Sequence, residues 1–125
     1  MKKQALEILK IAKGFMAEPL AFEEPDAHTR DWARKNLMLA LRVDNSCKQI
    51  YESFLTKRNA VNNKFHYFAV WKSKTSECIG GNAFGRIGYN PKGFEISRGN
   101  EHSVVSAVMG KESTKQFDGY EPTEV

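Results

Sequence analysis

The amino-acid sequence predicts an α+β protein on three observations. The N-terminal part repeats apolar side chains at helical spacing. From Lys48 onward the texture changes to short β-branched and aromatic runs broken by turn residues, and after Asn100 helical spacing returns.

Ala5, Ile8, Leu9, Ala12, Phe15 and Met16 recur at three- and four-residue spacing, with Lys2, Lys3, Glu7, Lys10 and Lys13 on the other face, as in an amphipathic helix. Glu18-Pro19 through Glu23-Glu24-Pro25-Asp26 holds two prolines and clustered acids, which predicts a loop pinned by Leu20 and Phe22. Thr29 is placed to cap a second helix, whose face is Trp32, Ala33, Asn36, Leu37, Ala40 and Leu41 and which ends before Asp44-Asn45-Ser46. These two helices are expected to cover one face of the β-rich region after Lys48. Arg30, Arg34 and Lys35 could turn the second helix toward a nucleic acid, but Asp31 and the acidic loop beside them favour a structural role.

Cys47, Ile50, Tyr51, Phe54 and Leu55 fit a third helix by spacing and a strand by residue type. The run from Lys64 to Trp71 is almost wholly apolar and aromatic, which predicts a central, buried strand. From Glu77 to Tyr89 the chain carries Gly80, Gly81, Gly85 and Gly88, glycines that mark bulges or close backbone approaches. Asn90-Pro91-Lys92-Gly93 predicts a turn and Phe94-Glu95-Ile96-Ser97 a short strand. Asn100 then caps a last helix through Val104, Val105, Val108 and Met109 to about Phe117, bent or shortened at Gly110, with Gly119 beyond it.

Composition narrows the class. With 125 residues and 41% hydrophobic content, one core is expected. No apolar run reaches the roughly 20 residues that span a bilayer, and the interrupted pattern after Met1-Lys2-Lys3 does not resemble a secretory core. A cytoplasmic or nucleoid-associated protein without a membrane partner is therefore expected. Cys47 and Cys78 are too few for a disulfide framework, and His28, His66 and His102 are dispersed. Glu23, Glu24 and Asp26 fall in the expected loop, and Gly80-Gly81-Asn82 lacks the order of a phosphate-binding glycine loop. No metal, cofactor or catalytic group is expected.

The net charge of +4 is unevenly distributed. Between positions 48 and 100 there are nine basic and three acidic residues, a local balance of +6. That window is where an anionic partner is expected, although the same charges also suit the solvated face of a sheet.

Within it, Asn82-Ala83-Phe84-Gly85-Arg86-Ile87-Gly88-Tyr89 resembles the signature of the WGR domain family, Trp-Gly-Arg followed by an apolar residue and Gly, with Phe84 in place of the Trp. Asn63-Lys64-Phe65 resembles the Asn-Lys-Phe that opens the family's second strand. Gly93, the strand to Ser97, the helix from Asn100, Lys115 and Gly119-Tyr120 follow in the family's order. The similarity runs from about residue 48 to 121. It divides the chain into a helical extension over 1–46, a WGR-like domain over 47–121 and a tail over 122–125. It implies a twisted antiparallel sheet packed on a C-terminal helix, here preceded by two N-terminal helices, and assigns Ile50 to Thr56 to a strand. Gly85, Gly88, Phe65 and Tyr120 are its structural landmarks.

In poly(ADP-ribose) polymerases the WGR domain helps bind DNA strand breaks, so the resemblance implies a nucleic-acid-binding module, DNA favoured over RNA, without catalysis of its own. The expected binding residues are Phe84, Arg86, Lys64, Lys72, Lys74 and Lys92. Phe84 and Arg86 are two apart and leave a strand on the same face, where a ring can stack and a guanidinium can grip phosphate through paired hydrogen bonds. Gly85 between them is expected to clear the opposite face. The alternative is a core Phe84 with Arg86 paired to a carboxylate such as Glu95. A protein-interaction adaptor, recruiting partners through the N-terminal helices, is the other functional class.

Overall fold

The computed structural model describes residues 25–125, so the helix expected over Ala5 to Met16 and the loop up to Glu24 lie outside the described residues. The order of elements is α1 (Pro25–Leu41), β1 (Lys48–Arg58), β2 (Asn63–Lys72), β3 (Cys78–Arg86), β4 (Lys92–Gly99), α2 (Glu101–Phe117) and β5 (Glu121–Pro122). The strands form one antiparallel sheet in the order β4-β3-β2-β1-β5. The mixed α+β class and the antiparallel sheet are thus as expected.

The placement of the helices differs from the expectation. Among the described residues one helix precedes the sheet, and α1 and α2 cover its opposite faces. The cause lies in β2, which is apolar on both sides. Phe65, Tyr67, Ala69 and Trp71 pack with Ala33, Leu37 and Leu41 of α1, while Phe68 and Val70 pack with Val104 and Val108 of α2. A strand alternates its side chains between two faces, so a central strand with apolar residues on both needs two covers. Nor is α2 the last element: β5 pairs with β1, and Thr123 N–H donates to the Phe54 carbonyl at 2.9 Å. Residues 121–123 therefore lie along the sheet's edge.

Proline accounts for a second difference. Expected inside a loop, Pro25 instead opens α1, where its fixed φ and missing N–H suit a helix start. Thr29 consequently lies a turn inside the helix, buried, and its hydroxyl meets no partner among the described residues. Asp26, expected as a solvated loop acid, sits in the first turn and pairs with Arg58. The end of α1 is set by Arg42, whose φ of 59° breaks the helical path.

The segment that fits a helix by spacing and a strand by residue type is strand β1, extending past Ile50 and Thr56 on both sides. Its ten-pair register with β2 supplies long-range bonds that local helical spacing cannot match. On β3, Gly80 and Gly81 mark a register shift against β4. A Cβ at Gly80 would lie 2.5 Å from Val108 Cγ2, and one at Gly81 would lie 2.5 Å from the Phe94 carbonyl oxygen. The first glycine lets α2 approach the sheet, and the second lets β4 bulge toward β3. The turn between these strands falls at Ile87 to Tyr89, before the expected Asn90-Pro91, because Gly88 supplies a φ of 90°. Asn100 caps α2 as expected, accepting from Ser103 N–H at 2.9 Å, and the helix continues through Gly110 to Phe117.

Candidate nucleic-acid interface

Antiparallel register places side chains of neighbouring strands in rows. On the α2 face, the row nearest the β2 start is Lys57, Lys64 and Arg86, directly opposite one another on β1, β2 and β3. The next row is Leu55, His66, Phe84 and Lys92, and the third is Ser53, Phe68, Asn82 and Phe94. A row of cations thus borders two rows rich in aromatic rings.

The rings form a line. Tyr120 meets His66 edge-on at 4.8 Å between centroids, His66 stacks on Phe84 at 5.1 Å, and Phe84 stacks on Phe94 at 5.6 Å. Phe84 is half-buried and Phe94 is 52% exposed, so the line runs from the sheet's middle out to its edge. The C-terminal half of α2 overhangs it and walls a half-open groove of about 450 Å³, with Lys111 and Lys115 on the helix side and Phe84, Phe94 and Asn82 on the sheet side.

His66 forms the groove's inner wall, 6% exposed. Burial, assisted by the charge of Lys115, pushes its pKa down to about 4 despite the opposing hydrogen bond with Asn82, so the imidazole is neutral at pH 7. Its role is that of a third aromatic ring. Asn82 donates to the carbonyls of Tyr67 at 3.1 Å and Ala83 at 3.3 Å, which holds its amide against β2.

Arg86 is exposed, with its guanidinium 5.9 Å from the Tyr89 ring centre. It does not pair with Glu95, whose carboxylate takes Arg98 at 3.1 Å. Lys64, Arg86, Lys92, Lys111 and Lys115 have no carboxylate partner among the described residues. By contrast, the arginines of α1 are engaged. Arg34 binds Glu52 at 2.5 Å, and Arg30 bonds to Asp31 and to the Val125 carbonyl.

No protein-family model, characterised protein or solved structure matches the chain.

Of the expected binding residues, the fold brings Phe84, Arg86, Lys64 and Lys92 together and leaves out two. Lys72 ends β2, about 27 Å along the strand from Lys64, and pairs with Glu101 at 3.1 Å. Lys74 lies in the turn after β2, at that same far end, where its charge adds to the Ser46 hydrogen bonds that hold the Asp44 carboxyl low. Among the landmarks, Phe65 is wholly buried on the α1 face and Tyr120 closes the aromatic line. Gly85 is not required for clearance, since a Cβ there would find ordinary contacts no nearer than 3.5 Å.

Lys57, Lys111, Lys115 and Phe94 complete the site, and none of the four is among the residues expected from sequence. Lys111 and Lys115 are spaced i, i+4 and so share a helix face, which is a readable signal. They fall outside the basic window, and the acids around them mask their charge. Among the described residues no group of three or more His, Cys, Asp and Glu side chains is placed to hold a metal, and no helix is long and apolar enough to cross a membrane.

Proposed function

We propose that this chain is a nucleic-acid-binding module of WGR type, with DNA the favoured partner and no catalysis of its own, acting at the nucleoid or in the cytoplasm. The reading is supported above all by one observation: the stacked rings of Phe84 and Phe94 lie inside a frame of five cations without carboxylate partners among the described residues, Lys64, Arg86, Lys92, Lys111 and Lys115. Phosphate draws its affinity from such unpaired cations, and bases stack on such rings. An antiparallel sheet followed by a helix after β4 is also the arrangement that the WGR resemblance implies.

The test is a titration of labelled oligonucleotides at rising salt. With five phosphates neutralised, the log of the binding constant should fall with a slope of about 3 to 5 against the log of salt concentration. Absence of salt-sensitive binding at protein concentrations on the order of tens of micromolar overturns the proposal.

The adaptor reading has less support. The large exposed apolar side chains Leu39, Val61, Met109 and Phe117 are divided among α1, the β1–β2 turn and α2. Apolar side chains scattered in this way are ordinary on a protein surface.

A further inference from the structure

We infer that the groove between α2 and the β3–β4 edge takes an unpaired nucleotide whose base carries an exocyclic amino group. This rests on the nucleic-acid reading and names the ligand of the same site.

The rings argue for an unpaired base. Inside a duplex each base hides both faces against its neighbours, so a protein ring can stack on one only where the base is single-stranded, flipped or terminal. Here Phe84 is half-buried. Phe84 lies between His66 and Phe94, and the overhang of α2 gives the groove a wall on the side opposite the sheet. At about 450 Å³, it falls in the range of sites that enclose small ligands, whereas a duplex would have to rest on the rim. Phe94 is half-exposed at the sheet's edge, so its ring offers a landing face to an entering base.

The cations argue for a strand that passes through. Lys111 and Lys115 stand on the helix wall, Lys92 lies on β4 opposite Phe84, and Arg86 and Lys64 stand in the neighbouring row of the sheet. Phosphates on both sides of a base in the groove would each meet a cation.

The polar groups argue for the amino group. The Asn82 amide nitrogen faces two backbone carbonyls, which accept hydrogen bonds and cannot donate them, and this fixes which end of the amide is nitrogen. The same nitrogen lies 3.1 Å from His66 Nδ1. The end of Asn82 left for a ligand is therefore Oδ1, an acceptor. The Glu95 carboxylate is not a second acceptor there: Glu95 pairs with Gly81 on the α1 face, where Arg98 takes its carboxylate. An acceptor at this place suits the N4 amino group of cytosine or the N6 amino group of adenine, and it opposes the O4 carbonyl of thymine at the same place on the base edge.

The test uses the full chain and three fluorescent probes of equal length: oligo(dC), oligo(dT) and a blunt-ended duplex. Oligo(dC) should bind about fivefold to tenfold tighter than oligo(dT), and both single strands tighter than the duplex. Phe94→Ala should weaken single-strand binding about tenfold with little change in melting temperature, because its ring is half in solvent. Equal affinity for the two single strands, or tighter binding to the duplex, overturns this inference and leaves general nucleic-acid binding standing. Failure to bind any of the three probes removes both.

Discussion

Lys64 and Arg86 stand directly opposite each other on β2 and β3, a like-charge cross-strand pair, and Lys57 extends the row on β1. Like charges in this position destabilise a sheet. No carboxylate balances Lys64 or Arg86 among the described residues, so the fold carries a small electrostatic penalty where the proposed ligand would relieve it.

Replacing Lys64 with Gln should therefore stabilise the protein and weaken binding together. The gain should be a few tenths of a kcal/mol in urea denaturation at low ionic strength, and it should vanish near about 1 M salt, where exposed charges are screened. In the same variant, oligonucleotide affinity should drop and the salt slope should shrink by about one phosphate's worth. A destabilised Lys64→Gln protein would contradict this account of the row.

His66 sets a pH dependence of stability. Its folded pKa is held near 4, below the unfolded value of 6.5, so over that interval the unfolded chain binds more protons than the folded one. Its full contribution is therefore present above pH 6.5, erodes as pH falls, and is gone near pH 4. A shift of this size corresponds to roughly 3 kcal/mol at most. Denaturation midpoints measured from about pH 7.5 down to about 4.5 should fall in the native protein. In His66→Phe, which keeps a ring in the stack but cannot titrate, the midpoints should stay flatter over the same interval.

Gly80 should prove intolerant of a methyl group. In Gly80→Ala the new Cβ would press on Val108 Cγ2 at 2.5 Å and Val104 Cγ1 at 3.0 Å. These are stiff β-branched side chains on a packed helix, so the expected cost is about 1 to 3 kcal/mol, read as a lower melting temperature. Adding Val108→Ala should recover part of the loss, because the two substitutions share one contact. If the double variant is no better than the sum of the singles, α2 does not rest on Gly80 as described.

Local chemistry makes some elements legible. The apolar run of β2 has no simpler fate than a buried strand, and Asn100 announces α2 by its capping side chain. Pro25 misleads for an equally local reason: the residue that breaks a helix interior is welcome in its first turn. The segment from Cys47 to Leu55 cannot be decided locally, because what makes it a strand is β2, reached only after a turn. That β2 is apolar at consecutive positions also holds the information that both faces are covered, and only the packing of its alternate side chains makes the second cover visible.

The site is legible along the strand and illegible across it. Phe84 and Arg86 share a face by simple alternation, and Lys64 joins them through the register of β2 against β3. Lys72 and Lys74 are close to Lys64 in sequence, yet a ten-residue strand carries its two ends far apart. Lys111 and Lys115 arrive from a different element altogether, in a region whose overall charge is negative.

At the β4 edge, which no further strand covers among the described residues, the outer backbone groups could template pairing with another chain. Lys92, Glu95 and Arg98 project exposed charges from it, and its bulge opposite Gly80 and Gly81 interrupts the regular ladder. Such a border repels lamination of one copy onto the next. Since Phe94 sits on the same strand, the features that guard against self-templating also keep the mouth of the groove unobstructed when the protein is concentrated.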